Sequence, residues 1–143
     1  MSKGNTFEND LLKLIFNATA IANMADNAAS GPLTNLYVSL HTADPGEAGD
    51  QTTNEIAYTG YARVAVARSG AGFTVSGNSV SPAANIDFGK MTAGAGGTVT
   101  HFAIGSASSG AGKLLYSGAV TPNISVTNGV IPRLETGTAV TED

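Results

Sequence analysis

The apolar positions near the start of the chain fall at helical spacing, and those beyond Pro32 alternate. Phe7, Leu11, Leu14, Ile15, Ala18, Ala22 and Ala25 recur at three- and four-residue steps, forming one stripe of a helix predicted over residues 6–29. Asn5 or Thr6 can cap its start, with Glu8 three residues after Asn5 as in a capping box. Ser30-Gly31-Pro32 would end it, because Gly accepts the left-handed C-terminal position and Pro cannot continue a helix. Leu12, Phe16 and Ile21 fall off the stripe, so the helix carries apolar side chains on more than one side. A helix apolar around much of its girth is usually buried around much of it. Phe7, Leu11, Leu12, Ile15 and Phe16 are therefore candidate interface residues, against the chain's own sheets or a neighbouring subunit.

After Pro32, Leu36, Val38 and Leu40 alternate with Tyr37, Ser39 and His41, the mark of a half-buried strand. Residues 43–55 form an acidic loop with Asp-Pro-Gly turn chemistry. Alternation resumes over 61–68, and short strands are predicted near 73–76, 84–88, 98–105, 113–120 and 130–135, separated by Gly, Asn, Ser or Pro. The Gly-rich stretches 91–97 and 106–112 are expected to be loops, and the tail from 136 a free arm or a terminal strand. Short strands at regular spacing indicate a mainly β chain: a β-sandwich, jelly-roll-like, with one N-terminal α-helix. The expected division is an N-terminal helical arm (1–32) and a β-sandwich domain (33–143).

Composition sharpens this picture. Only 13% of the 143 residues are charged, about half the usual share. Charge depletion suits a protein whose faces are covered by neighbours, since interface cores avoid charge. The net charge is −4, and the seven Lys and Arg are scattered. No basic stripe exists for a phosphate backbone, so no nucleic-acid partner is expected. No apolar run nears the roughly 20 residues that span a bilayer, so no membrane partner is expected either. The start, Met1-Ser2-Lys3-Gly4-Asn5, lacks a signal-peptide pattern, which implies synthesis in the host cytoplasm.

Candidate chemistry is sparse. His41 with nearby Asp44 could be a base with its orienter, but no Gly-x-Ser-x-Gly elbow supplies a nucleophile. A structural role is the stronger reading for His41 and for His101. Asp44, Glu47 and Asp50 could offer oxygens to Ca²⁺, yet their spacing is not that of an EF-hand loop, and a solvated acidic loop is preferred. There are no cysteines and no His pair with zinc spacing. Gly94-Ala95-Gly96-Gly97 lacks the Lys-Ser/Thr of a phosphate loop. No enzyme, catalytic residue, cofactor or metal is therefore expected. Arg63, Arg68 and Arg133 could each meet a neighbour's carboxylate, but an ordinary solvated face is the preferred reading for each.

One segment resembles a known family. Leu36-Tyr37-Val38-Ser39-Leu40-His41-Thr42-Ala43-Asp44-Pro45-Gly46, then Glu55, then Tyr61-Ala62-Arg63-Val64 is similar to small virion proteins of tailed phages with a Leu-His-Thr-Ala-Asp-Pro…Tyr-Ala-Arg signature. The resemblance covers residues 36–68 closely and implies a structural protein, either a capsid decoration (cement) protein or a minor tail protein. The same residues suggest that Glu55 and Arg63 pair and pin the long loop on the sheet. The expected function is capsid decoration on the virion surface, stabilising the head by binding between subunits of the major capsid protein, with self-association as a homodimer or homotrimer. The alternative is a tail, neck or fibre-associated virion component.

Overall fold

The computed structural model describes residues 5–21 and 32–142, the side chains of Asn5 and Phe7 excepted. The chain is mainly β, with one N-terminal helix and antiparallel sheets. Helix α1 covers Asn5–Asn17, and nine strands follow among the described residues: β1 Asn35–His41, β2 Val64–Ala67, β3 Phe73–Ser76, β4 Ser79–Pro82, β5 Ile86–Asp87, β6 Gly97–Gly105, β7 Leu114–Val126, β8 Arg133–Leu134 and β9 Val140–Thr141. They form a four-stranded sheet ordered β2-β1-β6-β7, a three-stranded sheet β3-β4-β9 and the pair β5-β8. The mainly β fold with one N-terminal helix is as expected, with sheets of four, three and two strands.

The chain groups into two compact units. One joins the segment up to Asn35 with Val66–Asn85 and the segment from Glu135; the other joins Leu36–Ala65 with Ile86–Leu134. Within the first unit, α1 packs on the β3–β4 hairpin.

In the first unit, β3 and β4 pair from Phe73↔Pro82 to Ser76↔Ser79 around a two-residue turn, Gly77-Asn78. Gly77 sits at φ +61°, the backbone that such a tight hairpin demands of its first turn residue. Leu12 and Phe16 are 0% exposed, and the Phe16 ring meets Phe73 edge-on at 4.9 Å between centroids. Each such side chain contributes about 1.5–3 kcal/mol on burial. The inward face is thus Glu8, Leu12 and Phe16, one position away from the predicted stripe; Leu11, Leu14 and Ile15 are half-buried.

The helix is also shorter than the predicted 6–29. It ends at Asn17 because Ala18 turns left-handed at φ +54° and the Thr19 N–H reaches back to the Lys13 carbonyl at 3.1 Å. The guanidinium of Arg68 then takes the Leu14 and Ile15 carbonyls, and that of Leu33 at 3.3 Å. Those end carbonyls lack partners inside the helix, and a cation there also suits the helix dipole. The predicted residues 22–29 and the Ser30-Gly31 stop lie outside the described residues, as does the capping box at Asn5.

In the second unit, β1 pairs antiparallel with β6 from Tyr37↔Gly105 to His41↔His101. Leu36, Val38 and Leu40 join Ile56, Val99, Phe102, Ile104, Phe88 and Val126 in the core. Strand β7 runs on to Val126, past the predicted limit near 120. It is an edge strand, where Pro122 is tolerated, and its register with β6 shifts between Val99 and His101. The predicted terminal strand or arm is β9, paired with β4.

Candidate functional site

Strand β1 sends Tyr37, Ser39 and His41 to the face opposite Leu36, Val38 and Leu40. Such polar residues would ordinarily meet water, yet Ser39 and His41 are 0% exposed. The loop over residues 42–63 covers them. An imidazole nitrogen, His41 Nδ1, lies 2.8 Å from the Thr53 carbonyl, and Nε2 lies 2.8 Å from Ser39 Oγ. A carbonyl only accepts, so Nδ1 carries the proton. Burial holds the His41 pKa below its ordinary value of 6.5, against the opposing pull of the Thr53 carbonyl and Glu55; Arg63 and His101 lower it further. Neutral His41 then accepts from the Ser39 hydroxyl at Nε2. This is nucleophile-and-base chemistry in outline, but both side chains are sealed, and the group orienting the ring is a backbone carbonyl, not Asp44.

Beside this pair the same loop closes on a denser hub. Arg63 Nε donates to Glu55 Oε1 at 2.8 Å, and Nη2 to Glu55 Oε2 at 2.7 Å. The guanidinium also donates to the Ala107 carbonyl at 3.0 Å and the Gly110 carbonyl at 2.8 Å. Four of its five N–H donors are used. The Arg63 side chain is 2% exposed and that of Glu55 16%. The Glu55 hydrogen bonds hold the Arg63 pKa above its already high value. The Tyr61 hydroxyl donates to Glu55 Oε1 at 2.8 Å and accepts the Leu40 N–H at 3.1 Å. Burial pushes its pKa far above the usual phenol value.

Gln51, also 0% exposed, extends the hub. Its Nε2 donates to the Tyr37 carbonyl at 3.3 Å and its Oε1 accepts the Ala107 N–H at 2.9 Å. The Gln51 side chain fits because Gly105 has none: a Cβ there would sit 2.1 Å from Gln51 Cδ. Two loops, 42–63 and 106–112, are thus tied to the sheet by one polar cluster. Among the described residues, no buried side-chain nitrogen or oxygen lacks a hydrogen-bond partner.

The remaining candidates fall into place around it. Asp44 Oδ1 accepts the Gly46 N–H at 2.9 Å, and Asp50 Oδ1 accepts the Thr52 N–H at 2.7 Å and its hydroxyl at 2.6 Å. The Thr52 bonds hold the Asp50 carboxyl below its ordinary range. These acids shape turns, and no cluster of three or more potential metal ligands occurs among the described residues. His101 is half-buried, with Nδ1 2.9 Å from Thr100 Oγ1. Arg68 caps α1 instead of facing solvent, and Arg133 pairs with Asp87 at 2.9 Å in an exposed contact worth little. Of the helix set, Leu12 and Phe16 are spent on their own unit's core, Leu11 and Ile15 keep some exposed surface, and the Phe7 side chain lies outside the described set. No described helix is long and apolar enough to cross a membrane.

The family model for podophage GP4 fiber I protein gp80 matches residues 2–142. The chain belongs to this family. It is therefore a phage virion structural protein. No curated protein matches the chain in sequence. In this fiber I protein family member the buried hub draws on the segment that carried the sequence resemblance, since Ser39, His41, Glu55, Tyr61 and Arg63 all lie within residues 36–68. Sequence reasoning missed Gln51 and Tyr61. Gln51 sits in a run of turn residues with no periodicity to mark it, whereas Tyr61 stands two residues before Arg63 in the same extended segment, a spacing that could have placed it on the same side.

Proposed function

We propose that this chain is a fibre-associated structural component of a podophage virion, acting through packing and contact. The observation that supports this most is the fiber I family match across nearly the whole chain. It favours the fibre over the head surface, reversing the order that charge depletion and the apolar helix suggested. The helix argument for head decoration also weakens, because Leu12 and Phe16 are buried within the chain's own unit. In the fibre reading, the Glu55–Arg63 pair holds loops 42–63 and 106–112 as one presented surface. The partners are further copies of the chain and neighbouring tail or neck proteins. Quantifying the protein in purified particles against the major capsid protein tests the assignment. A few to a few dozen copies, recovered with tails after heads and tails are separated, are expected; hundreds of copies recovered with heads would overturn it in favour of decoration.

A further inference from the structure

A titratable side chain is sealed beneath the loop over residues 42–63. His41 is 0% exposed, and the loop is fastened beside it through its backbone: the Thr42 N–H donates to the Asn54 carbonyl at 2.9 Å, and the Ile56 N–H to the Leu40 carbonyl at 2.9 Å. With Nδ1–H on the Thr53 carbonyl and the Ser39 hydroxyl on Nε2, the neutral ring has both nitrogens satisfied. A second proton, on Nε2, changes that balance. Ser39 Oγ can turn from donor to acceptor and send its own hydrogen toward the Ala103 carbonyl, 3.5 Å away, so hydrogen bonding survives. The charge finds no counterion. The carboxylate that acts on the ring, Glu55, is already bound twice by the Arg63 guanidinium and once by the Tyr61 hydroxyl. Arg63 is itself a cation, and His101 stands directly across the strand pair from His41. A buried charge in such company is stabilised by reaching water.

We infer that loop 42–63 is an acid-released cover, which protonation of His41 lifts from β1 while the β1–β6 ladder stays paired. The ladder survives because Leu36, Val38 and Leu40, on the other face of β1, remain in the core whether the loop is closed or open. Closed, the ring holds its pKa below 6.5, chiefly through burial. Open, it returns to its ordinary value of about 6.5. The open loop therefore binds one proton more than the closed one in that window. Its population rises by up to about tenfold per pH unit, or about thirtyfold at most between pH 7.5 and pH 5. Local openings of this kind are distinct from global unfolding and are read by amide exchange. The inference concerns the loop alone and holds wherever in the virion the chain resides.

The test is amide hydrogen exchange of the full chain at pH 7.5 and pH 5, read as protection factors so that the intrinsic pH dependence of exchange drops out. The N–H groups of Gln51, Thr53, Glu55 and Ile56 are bonded in the closed loop. Their protection should fall by about fivefold to thirtyfold in acid, while that of the β1–β6 ladder holds. The chain has two histidines, so two variants assign the effect. His41→Gln, which keeps a donor for the Thr53 carbonyl, should lose the response. His101→Gln should keep it; this variant leaves His41 as the chain's one histidine and decides the matter if His41→Gln folds poorly. A native loop equally protected at both pH values would overturn the inference. So would an acid response that survives His41→Gln, that vanishes in His101→Gln, or that spreads evenly through the β1–β6 ladder.

Discussion

Removing Glu55, Arg63 or both measures what the buried hub contributes. Glu55→Ala strips the carboxylate from a guanidinium that is 2% exposed, leaving it only the Ala107 and Gly110 carbonyls. Breaking a buried pair by deleting one partner costs about 3–5 kcal/mol, because the survivor is a buried charge without its counterion. Arg63→Ala leaves a carboxylate 16% exposed, still bonded to the Tyr61 hydroxyl, so its cost should lie at the low end of that range. The double variant strands no charge. Its loss should therefore fall short of the sum of the singles by about 1–3 kcal/mol, the coupling of groups in direct contact. At this chain length, 1 kcal/mol moves the unfolding midpoint by about 4 °C. Urea and thermal unfolding of all four proteins close the cycle. Since total stability is only about 5–15 kcal/mol, Glu55→Gln and Arg63→Lys serve if the alanine variants unfold. Losses that add to within about 0.5 kcal/mol would refute the pair as a loop pin.

Three further outcomes are expected. The His41 pKa is lowered on folding, so between 6.5 and its folded value the unfolded chain binds more protons, and stability is full above pH 6.5 and lost as pH falls through that window. Midpoints measured from pH 8 to pH 5 should drop in the native chain and flatten in His41→Gln; equal slopes would contradict this. Arg68→Ala frees the Leu14 and Ile15 carbonyls and should cost about 1–2 kcal/mol, with faster amide exchange confined to α1; unchanged exchange in α1 would show that the cap is dispensable. Gly105→Ala drives a methyl against Gln51 and should cost about 1–3 kcal/mol, by thermal unfolding, where a neutral result would mean the Gln51 cage yields freely.

Much of the fold was legible because it follows local periodicity. The alternation of Leu36, Val38 and Leu40 marks β1, and the turn residues bracket β3 and β6. What escaped has tertiary causes. Strand β4 is Ser79-Val80-Ser81-Pro82, with one strong strand former and a terminal Pro; its pairing depends on the Gly77-Asn78 turn, a weak hairpin signal when so little alternation flanks it. The buried helix face lies one position from the apolar stripe because Glu8 faces inward with Leu12 and Phe16, and a charged residue hides a stripe from a count of apolar positions. The early end of α1 comes with a left-handed Ala18, and the carbonyls it leaves are taken by Arg68, far along the chain, which local rules do not see. For the hub, Glu55 and Arg63 were singled out from the motif and do meet. Burial of the polar face of β1 was invisible, because half-burial is the default for an alternating strand until a loop of some twenty residues folds across it.

Electron microscopy of particles with this gene deleted, beside native particles, tests the fibre assignment most directly. Intact, filled heads with shortened or missing fibres are expected, restored when the protein is supplied in trans. Particles with complete fibres and bare or fragile heads would contradict it.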